Sequence, residues 1–297
     1  MNLDEEAVRR HLTYDELIPA MERALADFSA GRVVQPVRSV LPVKEHGGFF
    51  GVMPARTPDA VGAKLVTFYP GNVGLHTHHA VIVLFKPGTG EPLATLDGRL
   101  ITEMRTAAVS AAATKSLARA DARVLALLGS GVQARSHLDA IRLVRPLADI
   151  RVWSPRNASR FAGARPCASA EEAVRGADIV VVATSSMTPV LRGEWLSPGA
   201  HVNAVGACRP DWRELDDVVM RRARLFVDSR DAALRESGDV ILSKAPIAAE
   251  LGELFAGKAR RESPDEITLF KSLGLAVEDV AAALLVVRKA LSPSSPS

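Results

Sequence analysis

The sequence predicts an α/β protein: a Rossmann-type doubly wound sheet joined to a second, α+β domain. Three observations carry this. The stretch RVLALLGSGVQARSH, residues 123–137, runs from an apolar strand through a glycine turn into an amphipathic helix. Strands and helices then alternate from residue 150 to residue 227, the pattern of a parallel sheet covered on both faces. Before this, residues 33–95 read as short strands separated by Pro and Gly turns, a mostly antiparallel or mixed sheet. The chain has 297 residues, enough for two cores. The expected division is 1–118 together with a C-terminal helix, 273–297, as one domain and 119–272 as the other.

Taken in order, residues 1–30 read as one or two helices, with Leu17, Met21, Leu25 and Phe28 on one face and Gly31 as the stop. Strands are expected at 37–41, 48–52, 62–69 and 79–85. An alanine-rich helix follows at 103–118, then the strand at 124–128 and the helix after the glycine turn. Further strands are expected at 150–153, 178–183, 201–205 and 224–227. A helix opens at Ser169, with Glu172 at capping-box spacing. Short helices are read at 231–236 and 247–255. The last element, 273–291, has Glu278 and Asp279 early and Arg288 and Lys289 late, which suits a helix dipole. Its apolar face, Leu273, Val277, Val280, Leu284 and Val287, is expected to return to the first domain.

In the glycine turn, Gly129 permits the bend and Gly131 lets the backbone approach a pyrophosphate, which would sit on the free N–H groups of the following helix. Ala134 fills the third small-residue position. A sheet of this kind usually carries an acid at the end of its second strand to bind a ribose 2′-hydroxyl. Here the place reads Trp153-Ser154-Pro155-Arg156-Asn157, with no Asp or Glu before Glu171. Donors and a positive charge there favour NADPH, with NADH possible.

Three cations stand in apolar surroundings: Arg38 in PVRSVLP, Lys64 in GAKLVTF and Arg105 in MRTAAVSA. A buried cation is costly unless paired, so each needs an anion, which an anionic substrate could supply; any one of them taken alone reads at least as readily as a member of a structural ion pair. Arg105 is read as lying in a first helical turn, where a bound anion would explain it best. The cluster His76-Thr77-His78-His79 invites a metal reading, but no carboxylate or thiol stands at supporting spacing, so no metal is expected. Cys208 follows Val205-Gly206, near the expected nicotinamide region, and reads equally as a small buried hydrophobe.

Composition narrows the classes. The formal charge of +3 is small and mixed along the chain, which argues against nucleic-acid binding. The N-terminus MNLDEEAVRRHL has no apolar signal core and no apolar run reaches membrane-span length, so a cytoplasmic protein without membrane contact is expected. Cys167 and Cys208 offer neither a disulfide framework nor a zinc site.

Six motifs in order, GAKLVTFYPGN, DGRLITEMRTAAVSAAATK, LLGSGVQARSH, VNAVGACRPDWRELDD, VDSRDAALRESGDV and FKSLGLAVED, resemble the ornithine cyclodeaminase and mu-crystallin family. The GACRPDWRELDD stretch resembles its NADPH-dependent ketimine reductase branch. The resemblance implies a homodimer whose first domain dimerises and binds substrate. It implies that Arg38, Lys64 and Arg105 bind the substrate carboxylate, with Lys64 and Arg105 catalytic, and that Thr77, His78 and Arg105 approach the cofactor. Gly131, Val132 and Gln133 would hold the pyrophosphate, and Ser154, Arg156 and Asn157 the adenosine phosphate. Thr184, Ser185, Val205 and Ser272 would hold the rest, while Glu236 would reach the ligand pocket. Cyclodeaminases carry an Asp where this chain has Cys208, and a thiol with an ordinary pKa near 8.5 is a poor carboxylate substitute. Asp211 belongs to the segment shared with the reductases.

The reading is therefore an enzyme that reduces cyclic ketimine carboxylates, Δ1-pyrroline-2-carboxylate or Δ1-piperideine-2-carboxylate, to L-proline or L-pipecolate. Ornithine cyclodeaminase is the alternative. A non-catalytic store for NADPH and a small aromatic ligand is a third, disfavoured by the intact cation and glycine motifs.

Overall fold

The computed structural model describes residues 1–292; of the expected C-terminal helix segment 273–297, positions 293–297 lie outside the described residues. The chain forms two compact units, Met1–Arg105 with the chain from Leu275, and Thr106–Gly274. The first division thus falls inside a helix that the sequence reading placed whole in the first domain, and the second falls just before Leu275.

The first unit is built on a six-stranded mixed sheet. In chain order it contains β1 (Asn2–Leu3), α1 (Glu5–His11), α2 (Tyr14–Ser29), β2 (Ser39–Val43), β3 (Gly48–Arg56), β4 (Val61–Phe68), β5 (His78–Phe85), β6 (Pro92–Asp97) and the start of α3 (Gly98–Leu117). The sheet order is β1-β6-β5-β4-β3-β2; β1 joins β6 in parallel and every other pairing is antiparallel. Strand β6 escaped the sequence reading because Pro92 opens it and its six residues are only partly apolar. Helix α3 begins five residues earlier than expected. The Asp97 carboxylate accepts from the backbone N–H of Arg99 and Leu100 at 3.1 and 3.2 Å, so Asp97 starts the helix.

The unit is closed by α10 (Ala276–Leu291), which packs on α2 and on β3, β4 and β5. The alternation of β4 decides how closely it can lie. Gly62 and Lys64 share the face toward α10, and a Cβ on Gly62 would come within 2.7 Å of a Leu84 methyl and 3.1 Å of a Val280 methyl. The Val277 N–H, one of those that a helix N-terminus leaves without an intrahelical partner, is met by the Gln35 side chain at 2.9 Å.

The second unit is an eight-stranded, all-parallel sheet. Its elements are β7 (Val124–Leu128), α4 (Val132–Ile141), β8 (Asp149–Trp153), β9 (Arg165–Pro166), α5 (Ala170–Val174), β10 (Ile179–Val182), β11 (His201–Ala204), α6 (Asp217–Arg222), β12 (Ala223–Val227), α7 (Arg230–Glu236), α8 (Gly238–Ser243), β13 (Ile247–Glu250), α9 (Leu251–Phe255) and β14 (Ile267–Lys271). The sheet order is β13-β12-β14-β11-β10-β7-β8-β9. The central strands VLALL, IVVV and ITLFK are buried on both faces almost throughout, as parallel strands covered by helices must be. The order reverses at β7, which has β8 on one side and β10 on the other; that is the switch point at which such sheets bind ligands beyond their carboxyl ends.

Two expectations fail here. Residues 247–255 are a strand followed by a five-residue helix, because the apolar stretch IAAE pairs with β12 before Glu250 and Glu253 form a capping box. Strand β14 was not anticipated, although it sits between β11 and β12 in the middle of the sheet; a five-residue apolar run lacks the length to declare its type.

Candidate functional site

The first unit gathers the predicted cations around two carboxylates. The Lys64 ammonium lies 2.7 Å from Asp279 Oδ2. The Arg105 guanidinium spans both acids, Nε donating to Asp279 Oδ1 at 3.0 Å and Nη1 to Glu278 Oε2 at 2.5 Å. All four side chains are buried. Glu278 and Asp279 stand in the first turn of α10, where the helix dipole favours negative charge. The protein therefore supplies anions for Lys64 and Arg105 itself, as members of a structural ion set, and neither cation depends on a substrate for a partner. Arg105 is also eight residues into α3 rather than in its first turn, so the dipole argument for a bound anion there falls.

Burial pushes the Lys64 ammonium down to about 8, against the pull of Asp279; the neighbouring Arg105 and Arg38 charges push the same way. Burial opposes ionisation of Asp279, yet Lys64 and Arg105 hold its carboxyl below the usual range. His78, the first residue of β5, is held down at about 3 by burial and then by Lys64 and Arg105, so it is neutral at any working pH. Arg38, half-buried just before β2, joins the set through its effect on Lys64. Thr77 is exposed and its carbonyl accepts from Tyr69 N–H at 2.7 Å, closing the loop that carries His76 to His79. Among the described residues no group of three His, Cys, Asp or Glu side chains could hold a metal.

The second unit brings the other predicted residues to the carboxyl ends of its strands. Gly129 ends β7 with φ +113°, and a Cβ there would lie 2.2 Å from the Ala183 carbonyl oxygen, so only glycine fits. Gly131 caps α4 without a side chain, and nothing lies within 4 Å of where its Cβ would be. Val132 is exposed, and Gln133 Oε1 is buried with no hydrogen-bond partner. An open backbone, free helix N–H groups and an orphaned amide oxygen suit a dinucleotide pyrophosphate and its ribose. Ser154, Arg156 and Asn157 follow β8 in a largely exposed turn. Thr184 and Ser185 follow β10, Val205 follows β11, and Ser272 follows β14 with its N–H on the Ala204 carbonyl. Cys208 is exposed, its Sγ 3.7 Å from the Val205 carbonyl. Glu236 ends α7.

Sequence reasoning missed the acids that complete the cation set. Glu278 and Asp279 were visible as two consecutive acids opening an apolar helix, but the dipole accounted for them and no partner was sought. It also missed Glu214, Asp239 and Lys271, all fully buried.

Against this geometry, a profile of the ornithine cyclodeaminase/mu-crystallin family matches residues 1–294, and the chain belongs to that family. Its relatives include the ketimine reductase mu-crystallin of Mus musculus, 52% identical over 299 residues that span 96% of this chain and 95% of the mouse protein. The solved Δ1-pyrroline-2-carboxylate reductase of Thermococcus litoralis, in complex with NADH and L-proline, superposes with a TM-score of 0.94 at 40% identity, over 98% of this chain and 97% of that one. An archaeal alanine dehydrogenase dimer with bound NAD gives a TM-score of 0.93 at 35% identity, over 100% and 98%.

The buried ion set makes a direct stability prediction. Asp279→Leu leaves the Lys64 ammonium buried without its nearest counter-charge, and breaking such a pair costs about 3–5 kcal/mol. Urea unfolding of the variant should show that loss, and Lys64→Met/Asp279→Leu should recover most of it. A single variant as stable as the parent would mean that the pair contributes nothing.

Proposed function

We propose that the protein is an NAD(P)H-dependent reductase of cyclic ketimine carboxylates, converting Δ1-pyrroline-2-carboxylate or Δ1-piperideine-2-carboxylate to L-proline or L-pipecolate. The observation that carries the reading is Lys64: a buried ammonium held 2.7 Å from Asp279 in the company of Arg105 and Arg38, its proton affinity lowered by burial to about 8. The mouse relative is named a ketimine reductase and the Thermococcus relative a pyrroline-2-carboxylate reductase, which supports the same chemistry.

When bound, a reduced nicotinamide supplies the hydride. The chain does the rest. Arg38 and Arg105 hold the substrate carboxylate and fix which face of the imine carbon is presented; positioning of this kind supplies much of a bimolecular rate. Lys64 gives its proton to the imine nitrogen, so the C=N bond gains a hydride at carbon and a proton at nitrogen and becomes a secondary amine. Lys64 then takes a proton from solvent. Asp279 keeps the ammonium in place and holds its proton affinity up against the burial that lowers it. Neutral His78 adds no charge that would compete for the carboxylate. Gly129, Gly131, Val132 and Gln133 hold the pyrophosphate, and Thr184, Ser185, Val205 and Ser272 the remainder of the cofactor. The exposed Cys208 stands where cyclodeaminases carry an acid, which leaves ammonia release from ornithine in second place.

The test is NADPH oxidation with pyrroline-2-carboxylate and piperideine-2-carboxylate beside ammonia release from L-ornithine; imine reduction without ammonia is expected, and the reverse would overturn the reading. Lys64 has its own signature. Because the donor is the protonated form, kcat/KM should fall as pH rises through about 8. Lys64→Met should lower kcat/KM by about 10²- to 10⁴-fold. Lys64→Arg keeps the charge but has no proton to give, so it should turn over slowly at any substrate concentration. Wild-type kcat in Lys64→Arg would reduce Lys64 to an electrostatic clamp.

We infer NADPH as the preferred cofactor from the acid-free turn after Trp153, where the donors of Ser154 and Asn157 and the charge of Arg156 would suit a 2′-phosphate. Ser154→Asp should shift the preference toward NADH. A parent enzyme that already prefers NADH by about tenfold, roughly 1.4 kcal/mol, would refute this.

We infer a homodimer from the face of the mixed sheet opposite α10. Leu65 pairs with Val81 across β4 and β5, and both stay exposed, as does Leu41 on β2. An apolar sheet face of this kind is suited to a second copy. The alanine dehydrogenase relative is described as a dimer. Light scattering should give twice the chain mass; a monomer at micromolar concentration would exclude it.

A further inference from the structure

Three buried ionisable side chains in the parallel-sheet unit have no part in the roles assigned above. Glu214 Oε1 accepts from the Thr184 backbone N–H at 2.8 Å and from its hydroxyl at 2.5 Å, fixing the turn that follows β10. The same carboxylate lies against the turn that follows β11: a Cβ on Gly206 would come within 2.4 Å of Glu214 Oε2. That second turn is strained, since Ala207 has φ +51°, and it needs holding. Lys271, the last residue of β14, holds it by donating to the Gly206 carbonyl. Asp239 completes the circuit. Its Oδ2 lies 3.1 Å from the Lys271 ammonium, and its Oδ1 accepts from the backbone N–H of Glu214 and Leu215 at 2.9 and 3.0 Å. Glu214, Asp239 and Lys271 are all fully buried, and Glu214 Oε2 has no hydrogen-bond partner.

We propose that Glu214 is a positioning residue for the bound dinucleotide, its ionised carboxylate tying the Thr184 turn to the Gly206 turn while Asp239 and Lys271 set its charge. The proposal rests on the reading that this unit binds a nicotinamide dinucleotide. Both turns end adjacent strands beside the switch point, so the separation between them is part of the shape the dinucleotide meets. An ionised acceptor bonds an N–H and a hydroxyl more strongly than a neutral acid does, so the two turns are held firmly in one protonation state and loosely in the other.

The groups that act most strongly on Glu214 are Lys271 from β14, the Thr184 hydroxyl and backbone N–H, and Asp239 from α8, while the Cys208 thiol acts on Lys271. Burial raises the Glu214 carboxyl to about 7; the Lys271 charge and the Thr184 bonds resist this, and Asp239 adds to it. Ionisation therefore spans the physiological range. Dinucleotide affinity should be high above the transition and lower below it.

The experiment is NADH binding by fluorescence titration from about pH 6 to about pH 8; NADH is the probe because it has no 2′-phosphate to titrate in that range. For the parent protein, Kd should rise about tenfold as pH falls, the size of one lost charge-assisted hydrogen bond. Glu214→Gln, which keeps the shape but cannot ionise, should bind weakly and without pH dependence. Asp239→Asn removes the negative charge that raises the Glu214 pKa, so its transition should move to lower pH. A merely structural role would not move that midpoint. An unchanged midpoint in Asp239→Asn, or a parent-like profile in Glu214→Gln, overturns the proposal while leaving dinucleotide binding intact. If Glu214→Gln fails to fold, the Asp239→Asn midpoint decides alone. Failure of the parent protein to bind either NADH or NADPH at any pH would overturn the dinucleotide reading itself, and this proposal with it.

Discussion

The Asp279 carboxylate is the constraint on which the first unit turns. It meets Lys64 from β4 and Arg105 from α3, and it belongs to neither element but to α10, 174 residues beyond Arg105 in the chain. Closing a loop of that length is entropically affordable because the cost grows only with the logarithm of length, whereas leaving a cation buried and unpaired costs several kcal/mol. The sheet therefore cannot be completed locally. Gly62 gives α10 the room to lie close, Gln35 satisfies the Val277 N–H in its first turn, and the apolar face of the helix adds burial that offsets the cost of desolvating four charges.

The same arrangement sets the proton affinity of Lys64. Burial drives a lysine toward its neutral form. Asp279 opposes that, with Arg105 and Arg38 working against it. The parallel-sheet unit repeats the device with the sign reversed. There a buried carboxyl is raised toward neutrality and a lysine is kept charged by Asp239. In both cases burial moves the proton affinity furthest, and a nearby opposite charge, Asp279 or Lys271, is the largest force against it.

Much of this was legible in the residues alone. The glycine turn announced itself because Gly129-Ser130-Gly131 follows an apolar strand and precedes a helix, and the three cations stood out because their neighbours are apolar. The pairing was not legible, because nothing local distinguishes an acid that stabilises a helix dipole from one that also receives two cations. Arg105 was misplaced for a related reason: Asp97-Gly98 starts α3, but the alanine-rich run drew the boundary to Glu103. Strand β14 was hidden by its brevity, and with it Lys271, whose role depends on a neighbour set that only the sheet order creates.

The distance in sequence between Arg105 and its acids also bears on how the protein is made. A ribosome delivers β4 and α3 long before α10, so the nascent sheet exposes its cation face and the space beside Gly62 until α10 arrives. During that interval Lys64 and Arg105 lack the carboxylates of Glu278 and Asp279 that meet them in the folded unit. Truncation anywhere before Glu278 would make that loss permanent, so the completion of the buried ion set rests on an element made well after β4 and α3.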